Sequence, residues 1–227
     1  MYQPVSIVLN NLIQLLDTKI HSRHDLEKYL KLPFLGDIPL SETSDEIMTS
    51  DSRSSTAESF RILLTNLDFM LATTDKEQAK TIFITSTIPK EGKTFVAVNI
   101  ASTLSLYGKK VLLIGMDLRH PKIMEYIKIK SNVGLSNYLS NDKLKIEDIV
   151  YRQEGHKDFW VMPSGVIPPN PAELLNSTKI SALFDELKKQ LDKEFKETPY
   201  LFISSVAQQG LQELKDKLWQ MLNVEEK

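Results

Sequence analysis

The sequence predicts an α/β fold with a mostly parallel β-sheet and flanking helices. Short apolar segments rich in β-forming residues, at 81–85 and 111–114, alternate with longer segments whose apolar residues recur at helical spacing. The segment 93–107 between those two strands reads as a helix, so the three together make a βαβ unit. Because the crossover is helical, the two strands are expected to be parallel.

The composition is that of a protein that can bury a core: 227 residues, 41% hydrophobic and 26% charged. The net charge of −2 offers no basic excess, so we expect no nucleic-acid partner. Cysteine is absent, which excludes disulfides and thiolate metal sites and is compatible with a reducing cytoplasm. His21 and His24 are the only close pair of histidines, and we interpret them as solvated surface residues rather than metal ligands.

The N-terminal part of the chain is predicted to be helical. Residues 5–30 read as two helical pieces, followed by a turn-and-strand segment at 33–39 and a polar linker at 41–55. The most apolar stretch, 5–16, is interrupted by polar residues, is too short to cross a bilayer and lacks signal-peptide features. Two interpretations stay open for it: an amphipathic helix that packs on the domain, and a membrane-proximal stub.

Alternating helices and strands are predicted from Ser55 onwards. Ser55 and Glu58 form a capping box at the start of a helix, and Gly108 suits the end of the helix at 93–107. The further predicted elements are helices near 135–139, from Ala172 and at 180–195, strands at 159–162 and 200–203, and a final amphipathic helix with Leu211, Leu214, Leu218 and Leu222. We expect 200–203 to insert as a strand in the parallel sheet.

The residues from Thr87 to Thr94 match the spacing of a P-loop, with Thr87 in place of the first glycine. Such a loop turns successive backbone N–H groups around phosphate oxygens and aims a helix N-terminus at them. Lys93 would reach the β- and γ-phosphates, and the Thr94 hydroxyl would bind Mg²⁺, which predicts a Mg·ATP site in a P-loop NTPase-like fold. The predicted nucleotide-binding residues are Pro89, Lys90, Glu91, Gly92, Lys93, Thr94 and Phe95.

The alternative for this loop is a plain helix N-cap with an exposed lysine, which leaves the buried strand directly before it unexplained. Two features depart from the usual pattern. Thr87 cannot adopt glycine's positive φ without cost. Lys90 lies within the loop, where facing solvent is favoured over a phosphate contact.

Asp117 lies just beyond the carboxyl end of the strand at 111–114, the edge at which ligands bind in open parallel sheets. Its carboxylate can hold Mg²⁺ or its waters, or accept a proton from an attacking hydroxyl. The alternative is an aspartate that only caps the next turn. Its position favours the functional interpretation, so we predict Lys93 and Asp117 as catalytic residues and Thr94 and Asp117 as metal ligands.

Several stretches, in one order along about residues 16–190, resemble the cytoplasmic domain of the bacterial tyrosine kinases that act with polysaccharide co-polymerases. Together they are far more specific than the P-loop alone. They are Leu35–Pro39, Glu58–Arg61 with Thr65 and Asn66, Ile84–Thr94, Val111–Pro121, Gly134–Ser136 with Tyr138 and Leu139, Ser164 with Gly165, and Pro168–Leu175.

The resemblance implies a fold related to partition-type ATPases, ATP and Mg²⁺ as ligands, and tyrosine phosphorylation in capsule or exopolysaccharide export at the inner face of the plasma membrane. It implies a polysaccharide co-polymerase or membrane activator segment as partner, a protein tyrosine substrate, and self-association. Glu58 and Arg61 match part of the family's subunit-contact motif, although Leu64 replaces its second arginine. Gly115 replaces the first of two aspartates, which leaves that role to Asp117.

The C-terminal part departs from this family after Gln190, because the strand whose aspartate helps to hold Mg²⁺ is missing. The sheet is therefore expected to be truncated at its C-terminal end. Residues 191–223 instead resemble the end of the G domain of Obg-type GTPases, without the Asn-Lys-x-Asp motif that would imply guanine specificity. The predicted parts are a helical, membrane-proximal segment with linker at 1–54, an ATP-binding kinase-like domain at 55–190 and a strand–helix tail at 191–227.

Three functions are consistent with these features. The first is an ATP-dependent protein-tyrosine kinase of exopolysaccharide synthesis, with activity weakened by the missing carboxylate. The second is a nucleotide-binding regulator without efficient chemistry. The third, which depends on the tail alone, is a GTP-binding fragment.

Overall fold

The computed structural model describes residues 23–25, 32–40, 47–72, 80–86, 88–127, 129–194 and 200–205. The chain divides into two compact units, Met1–Gly36 and Asp37–Lys227. In the first unit, residues 23–25 are helical, and the Arg23 guanidinium carbon lies 4.7 Å from the centre of the Phe34 ring.

The strand predicted within 33–39 is wrong, because these residues form neither helix nor strand. Pro33 and Pro39 bound the segment and carry no backbone N–H to donate to a neighbouring strand. The predicted final helix, with Leu211 to Leu222, and His21 lie outside the described residues.

A five-stranded sheet forms the centre of the second unit, in the order β1-β5-β2-β4-β3. The neighbouring strands pair in parallel except for β3, which runs antiparallel to β4. The strands are β1 Lys80–Ile84, β2 Lys110–Gly115, β3 Tyr151–Arg152, β4 Phe159–Met162 and β5 Tyr200–Ser205.

Six α-helices and one 3₁₀ turn in the described residues of this unit connect or follow the strands. The predicted helices near 135–139, from Ala172 and at 180–195 are confirmed with small shifts at their ends. The helices are α1 Ser55–Leu71, α2 Lys93–Leu106, α3 Ile123–Tyr126, α4 Leu135–Ser140, α5 Pro171–Leu175 and α6 Thr178–Glu194, with the 3₁₀ turn at Ile146–Asp148.

Helix α1 begins one residue earlier than its predicted capping box implies. The Ser54 hydroxyl, rather than that of Ser55, accepts a hydrogen bond from the Ala57 N–H at 3.1 Å. The cap satisfies one of the free N–H groups of the first turn. Phe60 and Leu64 then fall on the buried face of the helix, with exposures of 0% and 4%.

Helix α2 ends as its glycine predicts. Gly108 takes a left-handed conformation with φ 77°, and the Lys109 N–H donates to the Leu104 carbonyl at 3.0 Å. This is the Schellman pattern, which satisfies a carbonyl of the last turn. The helix therefore stops where the chain must turn back into β2.

The predicted insertion of the C-terminal strand is confirmed. Strand β5 pairs in parallel with β1 on one side and with β2 on the other. It therefore supplies the strand that joins the two halves of the βαβ unit, whose own strands are parallel but not adjacent. Beyond β2 and β4, the core continues to helices α4 and α6 through Leu135, Leu183 and Leu187, each at most 3% exposed.

Candidate nucleotide-binding site

Among the described residues of the loop between β1 and α2, two lie in the left-handed region. Lys90 has φ 69° and Gly92 has φ 91°. The conformation suits glycine, whereas for lysine it costs about 1–2 kcal/mol. Changes of backbone hand between neighbouring residues are the geometry by which short loops form concave N–H nests for anions. The backbone of the predicted P-loop is thus strained at Lys90.

The N-terminus of α2 has no side-chain cap. Gly92 occupies the cap position, and its carbonyl accepts the first helical bond from the Val96 N–H at 2.9 Å. The N–H groups of the first turn, those of Lys93, Thr94 and Phe95, therefore receive no capping side chain. Unpaired N–H groups and the positive end of the helix dipole make such a terminus suited to an anion.

Two side chains brace the loop from within. The Ser86 hydroxyl donates to the Ile88 carbonyl at 2.9 Å, and the Ile88 N–H donates to the Glu91 Oε2 atom at 3.2 Å. Glu91 thus acts through its carboxylate, as an acceptor for an amide of the same loop. Thr87, the residue at the first glycine position of the motif, lies outside the described residues.

The loop residues differ in exposure. Pro89, Lys90 and Glu91 are exposed, as expected for Lys90, whereas Lys93 and Thr94 are half-buried at the start of the helix.

Phe95 packs against neighbouring helices. Its ring centre lies 5.8 Å from that of Phe60 and 6.3 Å from that of Tyr126. Its side chain therefore fixes α2 against α1 and α3, and its backbone N–H is the group that faces the helix N-terminus. The nucleotide contact predicted for Phe95 therefore falls to its backbone N–H.

Asp117 caps the turn that follows β2. Its Oδ1 atom accepts hydrogen bonds from the N–H groups of Arg119 at 3.1 Å and His120 at 2.9 Å. The turn-capping alternative is therefore present in the structure. Since a carboxylate has two oxygens, this cap leaves Oδ2 without a hydrogen bond in the described residues, and the two roles are compatible.

The nucleotide loop and Asp117 share one edge of the sheet. The loop follows the carboxyl end of β1 and Asp117 follows that of β2, with β5 between them. Parallel strands lie about 4.8 Å apart, so the ends of β1 and β2 are roughly 10 Å apart. Both groups of predicted residues thus meet at the edge where ligands bind in sheets of this type.

Arg61 and Glu58, the predicted subunit-contact residues, bind each other. The Arg61 Nη1 atom lies 3.1 Å from the Glu58 Oε2 atom, and Nη2 donates to the Ser52 carbonyl at 2.7 Å. Leu64, at the position of the family's second arginine, is 4% exposed and belongs to the core. Only the first half of that motif therefore lies on the surface.

Sequence reasoning missed the residues that hold the linker in place. The Asn99 Oδ1 atom accepts from the Met48 N–H at 2.8 Å, and the Ser102 hydroxyl donates to the Met48 carbonyl at 2.5 Å. Both polar residues are 0% exposed. Their presence in the middle of an apolar helix was the available signal, because a buried polar side chain requires a partner.

No helix in the described ranges is long and apolar enough to cross a bilayer. Within the same ranges, no three His, Asp or Glu side chains gather into a metal-binding group. Thr94 and Asp117 remain the oxygen ligands that the sequence predicts for Mg²⁺, and hydroxyl and carboxylate oxygens are the kind that this ion prefers.

Comparison with known proteins supports the predicted resemblance. Tyrosine-protein kinase YwqD of Bacillus subtilis is 36% identical over 162 residues, which cover 71% of this chain and 66% of that protein. The crystal structure of the chimerical protein CapA2B2 matches with a TM-score of 0.64 and 28% identity, over 81% of this chain and 75% of that chain. No protein-family model matches.

This chain is a homologue of the bacterial tyrosine kinases. The predicted α/β, P-loop NTPase-like fold is thereby confirmed, since the match to a chain of 28% identity extends over 81% of the residues. The kinase homologue spans 66% of the length of YwqD, just under two thirds.

The second predicted resemblance also has a counterpart. GTPase Obg of Flavobacterium psychrophilum is 80% identical over an aligned length of 162 residues, which cover 52% of this chain and 48% of that protein. The kinase homologue thus combines similarity to two separate protein families in one chain.

At Gly115 the kinase homologue has no room for a side chain. A Cβ atom there would lie 2.6 Å from the Ser164 hydroxyl and 2.9 Å from the Ser164 backbone nitrogen. The close approach of Ser164 explains why glycine stands at this position, and no local pattern indicates that approach. In the strand register, Gly115 pairs with Ser205 of β5, so neither residue of this pair at the carboxyl edge is acidic.

Proposed function

We propose that this chain binds Mg·ATP at the loop between β1 and α2 and transfers the γ-phosphoryl group to a protein tyrosine. The observation that carries the proposal is the helix N-terminus without a side-chain cap, preceded by left-handed residues at 90 and 92 and beginning with Lys93. Backbone N–H groups, a helix dipole and an ammonium group are then available to one polyphosphate. Similarity to tyrosine kinases supports the choice of acceptor.

Each residue has a distinct role in this proposal. The N–H groups of the loop and of the first turn of α2 hold phosphate oxygens, and Lys93 neutralises charge on the β- and γ-phosphates. Thr94 and Asp117 supply oxygens for Mg²⁺, which when bound neutralises charge that develops on the phosphates. Phosphoryl transfer depends mainly on positioning and charge stabilisation, and these residues supply both kinds of group.

The proposed setting is capsule or exopolysaccharide synthesis at the inner face of the bacterial plasma membrane. The partner is a polysaccharide co-polymerase or membrane activator segment, and Glu58 and Arg61 supply a contact for self-association. One solved structure that this chain matches is that of a chimerical protein, CapA2B2, which supports a partner segment from a second protein. The predicted parts 1–54, 55–190 and 191–227 stay in this proposal as segments of different sequence resemblance, although β5 of the last segment lies between β1 and β2.

A non-catalytic ATP-binding regulator is the second candidate. A specific observation favours it: Gly115 and Ser205 are partners at the carboxyl edge of the sheet, between the loop and Asp117, and neither can supply a second carboxylate. Removal of one charge-stabilising group lowers the rates of enzymes about 10²–10³-fold while part of the binding remains. ATP binding without turnover would be the result.

The test is transfer of labelled γ-phosphate from Mg·ATP to a synthetic Glu-Tyr copolymer, beside calorimetric titration with ATP and GTP. Lys93→Ala is expected to lower transfer at least about 100-fold. Lys90→Ala is the matched control, because Lys90 contributes only its backbone to the proposed site and its side chain is exposed, so transfer should remain within about threefold of the wild type.

The possible results separate the candidates. Labelling of the copolymer that depends on Lys93 supports the kinase. Binding of ATP with no transfer supports the regulator, and preference for GTP supports the GTP-binding alternative. If the chain binds neither nucleotide, or if wild type and Lys93→Ala transfer equally, the kinase proposal is refuted.

A further inference from the structure

A second concave site lies at the opposite end of α2 from the nucleotide loop. It is a cavity of about 250 Å³ bounded by the segment 48–50, the first turns of α1 and the last turn of α2. The side chains that line it combine one guanidinium with several hydroxyls: Met48, Thr49, Ser50, Ala57, Arg61, Thr103, Leu106 and Tyr107. No acidic side chain lines it, so its polar groups suit an anion.

Arg61 is the cationic group of this cavity. Two of its five N–H donors are engaged, one with the Glu58 carboxylate and one with the Ser52 carbonyl. The Glu58 side chain is 63% exposed, so that ion pair is screened by water and easily exchanged for a stronger anion. Arg61 thus keeps donors for a phosphate, which guanidinium groups bind in bidentate fashion.

Tyr107 lines the same cavity and is one of the exposed large side chains, whereas Tyr126 and Tyr151 are half-buried. The exposed fraction of Tyr107 is 62%. Tyr138, by contrast, is 8% exposed, and the Tyr151 hydroxyl is bonded to the Ser131 hydroxyl at 2.8 Å and the Val133 carbonyl at 3.1 Å. Tyr107 follows α2 directly, beside the Gly108 turn.

We propose that Tyr107 is a phosphorylation site and that Arg61 and the hydroxyl-lined cavity receive its phosphate. The proposal depends on the proposed kinase function for the donor. The Tyr107 phenolic oxygen forms a bond to the γ-phosphorus of Mg·ATP, and the bond from that phosphorus to the β–γ bridging oxygen breaks. ADP leaves with the electron pair, and the phenolic proton passes to solvent.

The transfer occurs between two copies of the chain. Lys93 and Tyr107 lie at opposite ends of α2, and a rise of 1.5 Å per residue places those ends about 20 Å apart. A tyrosine at one end of a rigid helix cannot reach the phosphate bound at the other. A second copy therefore phosphorylates Tyr107.

Phosphorylated Tyr107 competes with Glu58 for Arg61. The phosphate carries a charge of about −1.5 to −2 at neutral pH, against −1 for the carboxylate. The Arg61 side chain also bonds the Ser52 carbonyl, so the phosphate ties α2 more firmly to the segment that precedes α1. Phosphorylation thereby stabilises this end of the domain and withdraws Arg61 from the contact proposed for self-association.

The first experiment incubates the full chain with Mg·ATP and the Glu-Tyr copolymer, and maps phosphotyrosine by mass spectrometry. Label is expected on residue 107, and Tyr107→Phe should lose it while phosphorylating the copolymer at the wild-type rate. Tyr151→Phe is the control and should keep the label on Tyr107. Mixing wild type with a mass-tagged Lys93→Ala chain should label Tyr107 of the inactive chain.

The second experiment does not depend on the activity of the chain. Phosphotyrosine is installed at 107 during synthesis, and Tm is compared with that of the unmodified chain. A rise of about 2–4 °C is expected, and it should vanish in Arg61→Gln.

The outcomes separate this inference from the proposed function. A labelled copolymer with an unlabelled Tyr107 overturns the inference and leaves the kinase function intact. No label on either acceptor refutes the kinase function. The Tm comparison then decides whether Arg61 and the cavity bind the phosphate of Tyr107. If Tm shifts equally with and without Arg61, or does not shift, Arg61 and the cavity do not bind the phosphate.

Discussion

Replacing Asp117 distinguishes a turn cap from a metal ligand, because the structure gives this residue both opportunities. Its Oδ1 atom accepts from two backbone N–H groups, at 3.1 Å from Arg119 and 2.9 Å from His120. Asn at 117 retains an acceptor oxygen but no charge, whereas Ala removes both. Both variants lose the carboxylate that is offered to Mg²⁺, whereas only Asp117→Ala also loses the turn cap.

The magnitudes follow from those two bonds. Removing a capping side chain costs about 0.5–2 kcal/mol. We expect about 1–2 kcal/mol for Asp117→Ala, which lowers Tm by about 2–8 °C in a chain of this length, and less than about 2 °C for Asp117→Asn. Transfer of phosphate should fall about 100-fold or more in both, because both lose the charge beside the metal.

The assay pairs thermal unfolding with labelled-phosphate transfer, measured over a range of Mg²⁺ concentrations. Asp148→Ala is the matched control: Asp148 also caps a turn, accepting from the Lys145 N–H at 2.9 Å, but that turn precedes β3, which lies two strands from β2 in the sheet. It should lose stability and keep the rate. If Asp117→Asn transfers phosphate at the wild-type rate with an unchanged Mg²⁺ dependence, Asp117 is only a turn cap.

Two further predictions concern the scaffold. Gly134→Ala should lower the free energy of unfolding in urea by about 3 kcal/mol or more, because its Cβ would lie 2.2 Å from the Pro163 carbonyl oxygen. Gly155→Ala is the control: its Cβ meets nothing within 4 Å, so only left-handed strain of about 1–2 kcal/mol is expected. Equal losses in the two variants would contradict the close packing at Gly134. Ending the chain after Glu194 removes β5 from between β1 and β2, so circular dichroism should show no cooperative unfolding transition, and an unchanged transition would refute the role of β5.

Local patterns were enough to predict most of the elements. The apolar strand at 81–85, the helix at 93–107 and its stop at Gly108 depend on neighbouring residues, and the structure has them within one residue. The predicted strand within 33–39 was wrong because strand formation needs a partner, and no partner can be read from the segment itself. The short elements α3 and β3 were missed because segments of four and two residues are too short to show a helical or strand periodicity of apolar residues.

The nucleotide site was predicted in the same local way. The spacing from Thr87 to Thr94, the strand before it and the helix after it are features of consecutive residues, so the sequence alone selected Lys93 and Thr94. Asp117 was selected because the carboxyl ends of parallel strands share one edge. Only the folded backbone shows that its Oδ1 atom is the one bonded to the following turn.

By itself, the sequence determined the fold class, the loop and its helix, and the resemblance to two families, because each depends on residue types at fixed short spacing. Only the tertiary structure decided that β5 lies between β1 and β2, that Ser164 excludes a side chain at Gly115, and that Tyr107 shares a cavity with Arg61. These are contacts between distant parts of the chain. Their geometry is set by strand order and close packing, which no local pattern encodes.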